Sequence, residues 1–575
     1  MTERNHLKGL GFYLFAGAIL IYFGIFLFYP VYYIVREAFF PAGKLSLNLF
    51  GLLFQNPVTR ESLINSLELG VIVTIFTSIL ALSLAVIFHR YNFPGKPWFS
   101  GLLLMPLIIP PFVGAIGIKQ IFSRFGSFNL LLMNWGLMTD PIDWLGSAGF
   151  WGVVFLETLH LFPIMFLNLT ASIANLDPVY DEAAQILGAG FFRRFRTVTL
   201  PLVLPGYFAG AVLVFLWAMT DLGTPLIFNF PRVIPMMIFN MITDIYANPM
   251  GYALVVFLLL FTATCFLLAR RWAGSKSYEL YGKGYSAPRE VDLTKPLPGV
   301  PTHKRWLKIS LIYLYLIGIL GISALPHLGV LLNSLAGEWF MTVLPGRWTF
   351  EYYRGVFTHP LAFSSIRMSF FLSIATVIVS LILGVGIAYL TARKKIKGAF
   401  ILDALTMLTL TVPGLVLAFG YIASFSGTII DPRVNPVFLL VMAYGIRRLP
   451  YMVRSAHAGF SQSSKSLEEA SESLGATPTR TFMKITLPLV LSHLMVGGLM
   501  VFAFSMLEVS DSIILAMQEK YYPITKTIWY LSGRPGDGLA LASAMGMLGM
   551  FLLLASFLLA GRILGKKLGD IFRAG

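Results

Sequence analysis

The sequence predicts an all-α integral membrane protein of twelve transmembrane helices, built as two parallel six-helix repeats. Three observations lead there. Of 575 residues, 57% are hydrophobic and only 12% charged, with a mean hydropathy of +0.76, whereas a soluble domain carries about 25% charged residues. The apolar residues gather in runs long enough to cross a bilayer, which takes about 20 residues of helix. The two halves of the chain also align with each other at constant offsets.

The net charge of +16 does not point to nucleic acid, because the basic residues sit in short loops between apolar runs; the expected surroundings are a lipid bilayer. The single cysteine, Cys265, lies inside an apolar run and excludes a disulfide framework or a cysteine metal site within one chain. At the N-terminus, the polar and basic stretch Met1 to Lys8 is followed by an apolar run from Gly9 to about Val35. That run exceeds the apolar core of a signal peptide, about 7–15 residues, and has no small-residue cleavage site. It reads as the first span.

The spans are expected at roughly 10–34, 65–88, 99–122, 149–172, 203–229 and 250–270, then 306–332, 367–391, 400–425, 436–456, 490–515 and 540–563. Arg447 and Arg448 fall inside the tenth, so they should face protein or a water-filled cavity rather than lipid. Basic residues set the orientation. With a cytoplasmic N-terminus, inner segments hold 28 of the 43 Lys and Arg, outer segments 13, and Arg447 with Arg448 make up the rest. Both termini are therefore placed in the cytoplasm. Residues 271–305, with Tyr281–Tyr285 rich in Gly and a Pro-rich end from Lys295, read as a plain solvated connector. It separates a first lobe, 1–270, from a second, 306–575.

The repeat is explicit. Phe54 to Pro57 matches Phe357 to Pro360, and Ser66, Gly95 and Pro110 match Ser369, Gly398 and Pro413, all at an offset of 303. Further on, Pro163, Gly188, Pro201 and Phe215 match Pro450, Gly475, Pro488 and Phe502 at an offset of 287. An even number of spans per repeat makes the repeats parallel, with a pseudo-twofold axis along the membrane normal.

The loop after the fourth span of each half carries the decisive pattern. The first, about 174–202, contains Leu176-Asp-Pro-Val-Tyr-Asp-Glu-Ala-Ala-Gln-Ile-Leu-Gly188 and ends at Leu200-Pro201; the second, about 461–489, contains Ser466-Leu-Glu-Glu-Ala-Ser-Glu-Ser-Leu-Gly475 and ends at Leu487-Pro488. Both fit Glu-Ala-[Ala/Ser]-x3-Gly-x9-[Val/Ile]-x-Leu-Pro. Asp177 can cap a helix whose first residue is Pro178. Ala183 and Ala184 keep one face slim, and Gly188 ends the helix at low steric cost. Thr477-Pro478 can start a second short helix.

These loops resemble the coupling loop, or EAA loop, of permeases in bacterial binding-protein-dependent ABC importers, and the resemblance extends over nearly all of both halves. It implies the type I ABC importer permease fold, an inner-membrane location, and docking of the loops onto two copies of a cytoplasmic ATPase. By that match, Glu182, Ala183, Ala184, Gly188 and Pro201 form the first ATPase-coupling motif and Glu469, Ala470, Gly475 and Pro488 the second. Ser471 stands where the family usually has Ala. The chain has no Gly-x4-Gly-Lys-[Ser/Thr] phosphate loop, Gly565-Lys-Lys lacking the required neighbours. ATP and Mg would be bound by the partner ATPase, and no enzyme activity, catalytic residue, cofactor or metal site is expected on this chain. A periplasmic or lipid-anchored binding protein would deliver the solute. The fused two-lobe form, with Pro110 and Pro413 late in short third spans, is most similar to the ferric-iron branch; thiamine, polyamine, sulfate and phosphonate are the alternative cargoes.

Asp221 and Glu508 are equivalent, each 20 residues past its Leu-Pro proline, and Asp511 follows. At 1.5 Å per residue this is roughly 30 Å along a helix, near the outer end of the fifth and eleventh spans. These acids are expected either to line the outer mouth of the pathway and favour a cation, or to sit at the headgroup level or pair with nearby Arg and Lys to hold the lobes together. His160 and His457 read as structural. The rival class, an ion-gradient-driven secondary transporter, would place ionisable groups near the midplane and lack docking loops.

Overall fold

Apolar runs fold as helices because lipid offers backbone N–H and C=O groups no partner but the chain itself. The computed structural model describes residues 2–107, 110–146, 149–174, 176–246, 248–275, 291–296, 301–394 and 398–564. Among these, nine helices are long and apolar enough to cross a membrane. They are the first span Gly11–Phe39, second Pro57–Arg90, fourth Phe150–Ala174, fifth Phe191–Thr220, sixth Met250–Ala269, seventh Thr302–Leu335, eighth Pro360–Lys394, eleventh Pro478–Met506 and twelfth Gly538–Ile563. The tenth, Val437–Gln462, carries Arg447, Arg448 and Arg454 along its length.

The third and ninth spans are not the continuous helices expected at 99–122 and 400–425. The third is bent by 91° between Lys96–Leu107 and Pro111–Asn134. The ninth is split into Ala399–Leu408 and Gly414–Phe425. Proline explains both breaks. Pro110 and Pro111 have no N–H to give the carbonyls of Pro106 and Leu107 four residues earlier. The imidazole of His160 supplies a substitute, donating from Nδ1 to the Pro106 carbonyl at 3.0 Å. In the ninth span the turn before Pro413 is held by hydroxyls, with Thr409 donating to the Thr406 carbonyl and Thr411 to the Leu408 carbonyl, each at 2.7 Å.

The fifth and eleventh spans also break, at the acids, rather than running on to 229 and 515. Helix Leu200–Thr220 ends at Asp221 in extended conformation, and a short helix, Gly223–Phe228, follows. Pro225 has no N–H for the Asp221 carbonyl, so the helix cannot continue through it. Helix Leu487–Met506 gives way at 507–509 to Ser510–Leu515.

The described chain forms two compact units whose segments do not follow chain order. One unit comprises Met1–Arg60, Ile234–Leu260 and Thr349–Gly575. In it the first span packs on the ninth: the Tyr421 hydroxyl donates to the Phe26 carbonyl at 2.8 Å, and Gly420 faces Pro30 and Ile34. Its apolar core includes Met452, Ala456, Phe460, Val490 and Leu494 from the tenth and eleventh spans. The other unit comprises Glu61–Val233 and Phe261–Trp348. Here the third span crosses the seventh so closely that Gly117 and Gly329 meet backbone to backbone.

Within this second unit the connector is not simply solvated. Val291–Asp292 pairs in parallel with Tyr91–Asn92 at the end of the second span, and Leu293 is fully buried. Asp292 accepts from the Thr294 amide and hydroxyl and from the Asn92 side chain. The segments Tyr281–Tyr285 and Gly565 to Lys567 lie outside the described residues.

Candidate functional site: paired loops and a buried charge cluster

Each loop after a fourth span is a pair of short helices at a glycine corner. In the first copy the Asp177 carboxylate caps helix Pro178–Ile186 by accepting from the Val179 amide at 3.0 Å. The helix ends at Gly188, whose φ of +80° is a left-handed conformation that side chains resist. Phe191–Arg194 and a π-turn, Phe195–Thr199, then run into Leu200 and Pro201. The second copy repeats the design. Helix Ser466–Ser473 ends at Gly475 with φ +86°, and Thr477 caps Pro478–Thr481 by accepting from the Arg480 amide at 3.3 Å. A matching π-turn, Phe482–Thr486, leads to Leu487 and Pro488.

The loops present apolar side chains that nothing among the described residues covers: Ile186 and Leu187 are each 86% exposed and Leu474 90%. Glu182, Ala183, Glu469 and Ala470 are exposed beside them, and Ala184 is half-buried. Large exposed apolar residues on a capped, rigid corner suit docking to another protein.

The three acids take different partners in the two halves. Glu508 and Asp511 are 5% and 0% exposed. Arg447 binds both, meeting Asp511 at 3.0 Å, and Arg448 binds Glu508 while its Nη2 reaches the Phe504 carbonyl. The tenth-span arginines thus face carboxylates at the break of the eleventh. Tyr444, one turn before Arg447, bonds Ser512 at 2.5 Å. At the same offset of 287 the first half has Glu157, His160, Leu161, Asp221 and Thr224. There Asp221 is half-buried and accepts from the Thr224 amide at 2.7 Å, while the Thr224 hydroxyl donates to buried Glu157 at 2.6 Å. Asp221 forms no ion pair among the described residues.

Each short helix after a break has its macrodipole satisfied at both ends. Acids stand at the start. At the far end of Gly223–Phe228, Lys119 donates to the Ile227 carbonyl at 3.3 Å; near the end of Ser510–Leu515, Lys526 donates to the Ile513 carbonyl at 2.7 Å. Sequence reasoning missed Glu157, although an acid within an apolar run is a signal in itself, and it missed both lysines. His457 hydrogen-bonds Ser461 at 3.4 Å on an exposed face. Among the described residues no cluster of three or more His, Cys, Asp or Glu is placed to hold a metal ion.

Comparison with known proteins decides the class. The family described as "Binding-protein-dependent transport system inner membrane component" matches this chain twice, over residues 77–274 and 380–570. The chain belongs to this family. It is a multi-pass membrane permease of an ABC importer, and the ion-gradient-driven reading is set aside. The permease is 27% identical over 565 residues to the ferric transport system permease protein FbpB of Actinobacillus pleuropneumoniae, covering 95% of this chain and 77% of that one. It is 29% identical over 224 residues to the molybdenum transport system permease protein ModB of Haemophilus influenzae, covering 38% of this chain and 95% of that one. Among solved structures, a bacterial ABC transporter for import of the acidic polysaccharide alginate is similar at 18% identity and a TM-score of 0.40, covering 48% of this chain and 99% of that one.

Proposed function

We propose that this permease is the whole membrane core of a ferric-iron importer, taking its cargo from a periplasmic binding protein and working by alternating access. The observation that carries the cargo assignment is the alignment of 95% of the chain, both lobes included, with a ferric transport permease. Two copies of an ATPase, which bind ATP and Mg, dock on the loops through Glu182, Ala183, Ala184, Gly188 and Pro201 and through Glu469, Ala470, Gly475 and Pro488. Both termini lie in the cytoplasm. Closure of the ATPases on ATP pulls the loops, and the π-turns pass that movement into the fifth and eleventh spans. Of the three acids, Asp221 has charge to offer a cation at the pathway mouth; Glu508 and Asp511 serve by fixing the eleventh-span break through Arg447 and Arg448.

The test is uptake into proteoliposomes holding the chain, its ATPase and its binding protein. ATP-dependent accumulation of radiolabelled ferric iron is expected. Accumulation of molybdate in its place would select a second reading, which the similarity to ModB favours. An Asp221→Asn variant with unchanged iron uptake would remove that residue from the pathway.

A further inference from the structure

Arg90 and Arg393 are equivalent across the repeat, as are Asp181 and Glu468. The two halves use them differently. In the second half, Arg393 lies in the π-helical stretch Tyr389–Lys394 that ends the eighth span. Its Nη2 donates to the Ser463 carbonyl at 2.7 Å and to the Ser463 hydroxyl at 2.5 Å. Its Nε stands 3.1 Å from Glu468, with side-chain exposures of 9% and 11% for the pair. Ser463 closes the tenth span and Glu468 sits on the docking helix Ser466–Ser473. One guanidinium therefore joins the eighth span, the end of the tenth and the docking helix. Tyr389, one turn earlier, packs its ring on Phe460 of the tenth span and Phe482 of the π-turn, at 5.8 and 5.2 Å.

In the first half the acid is used inside the loop. Asp181 pairs with Arg194 at 3.3 Å. The position equivalent to Arg194 is Thr481, which bonds Ser471 at 2.9 Å. Arg90 instead stacks its guanidinium 3.9 Å over the exposed ring of Phe191. Stacking on an exposed ring is a weak tether, whereas an ion pair away from water resists being pulled apart.

We infer that Arg393 is a positioning residue through which the second docking loop moves the eighth span, a route with no equally strong counterpart among the described residues of the first half. The two loops thus hand ATPase movement to the membrane by different routes, the first chiefly through the fifth span it runs into. This rests on the reading of the loops as ATPase docking sites.

The test measures movement without reference to cargo. In a Cys265→Ser background, Phe363→Cys, at the far end of the eighth span, reports that span by its rate of thiol labelling in the reconstituted complex, nucleotide-free and vanadate-trapped. Arg393→Ala and Glu468→Gln should each cut the nucleotide-dependent change in rate by about tenfold, with ATPase co-purification within about twofold of wild type. Arg393→Lys and the exchanged pair Arg393→Glu with Glu468→Arg should recover at least about a third of the change, and Asp181→Asn should leave it intact. A full response in Arg393→Ala and Glu468→Gln overturns the inference. So does an equal loss in Asp181→Asn, or loss of ATPase binding in Glu468→Gln, which would make that residue a docking contact. If the wild-type chain binds no ATPase, the docking-site reading falls and takes the tether with it.

Discussion

Arg447 holds Asp511 at 3.0 Å across the break in the eleventh span, from a position that in the first half belongs to His160. The second half thus closes its break with two arginines and two acids, while the first closes its fifth-span break with a threonine between two acids and turns His160 to the Pro106 carbonyl at the bend of the third span. Removing one member of a buried ion pair strands the other. Arg447→Ala and Glu508→Gln should each destabilise the permease by about 3 kcal/mol, whereas His160→Ala, losing one neutral hydrogen bond, should cost about 1 kcal/mol. Thermal unfolding in detergent checks the ranking; an Arg447→Ala midpoint equal to that of wild type would contradict it.

Gly188 and Gly475 have left-handed backbone angles, and a methyl group added at either would meet nothing within 4 Å among the described residues. The cost of Ala there is conformational alone, about 1 kcal/mol. Gly188→Glu and Gly475→Glu also put a charge on the docking corner and should uncouple hydrolysis from transport. The check is uptake and ATPase stimulation measured on the same vesicles; wild-type stimulation in both Glu variants would count against the docking role.

Gly117 and Gly420 are equivalent across the repeat but differ in what surrounds them. A Cβ on Gly117 would run into the Pro326 carbonyl oxygen and stand 2.7 Å from the Val330 nitrogen, backbone atoms that cannot step aside. On Gly420 it would meet Ile34 and Pro30 side chains at 3.0 Å. Gly117→Ala should therefore cost about 3 kcal/mol and Gly420→Ala about 1 kcal/mol or less. Equal unfolding midpoints for the two variants would refute the close crossing.

The loop between the ninth and tenth spans is clamped by one acid. Asp431 accepts from the Arg433 side chain and from the Gly427 and Arg433 amides, and the Arg433 guanidinium holds its carboxyl well below the ordinary carboxylate range. Because the folded value is lowered, the clamp is fully present above the ordinary Asp value of about 3.9 and is lost only as pH falls from there. Amide exchange at Gly427 should stay slow, after correction for intrinsic rates, from pH 8 to about pH 5, and Asp431→Asn should speed it across that whole range. An Asn variant with wild-type protection would show that the carboxylate is not the clamp.

The caps of both loops were legible because they are local: Asp177 reaches two residues and Thr477 three. The runs of apolar residues announced the spans for the same reason. The breaks were not legible at Asp221 and Glu508, since the apolar sequence continues past each acid and hydropathy does not register where a side chain finds its partner. Arg447 was expected to face protein, but its partners lie 61 and 64 residues away. Arg393 and Glu468 each look like ordinary solvated loop charges, and only the fold brings them together. The expected match of Glu469 to the coupling motif drew attention one residue away from the buried acid.

The contact of Tyr421 with Phe26 spans 395 residues of sequence. At about 5–20 residues per second, a ribosome takes about 20–80 s to cover that interval. The helix Gly11–Phe39 must wait in the membrane, its packing face turned to lipid or an insertase, until Gly414–Phe425 has followed it. Splitting the gene at the connector would leave each fragment without a helix that its fold requires, so the fusion secures assembly as well as equal dosage of the two lobes.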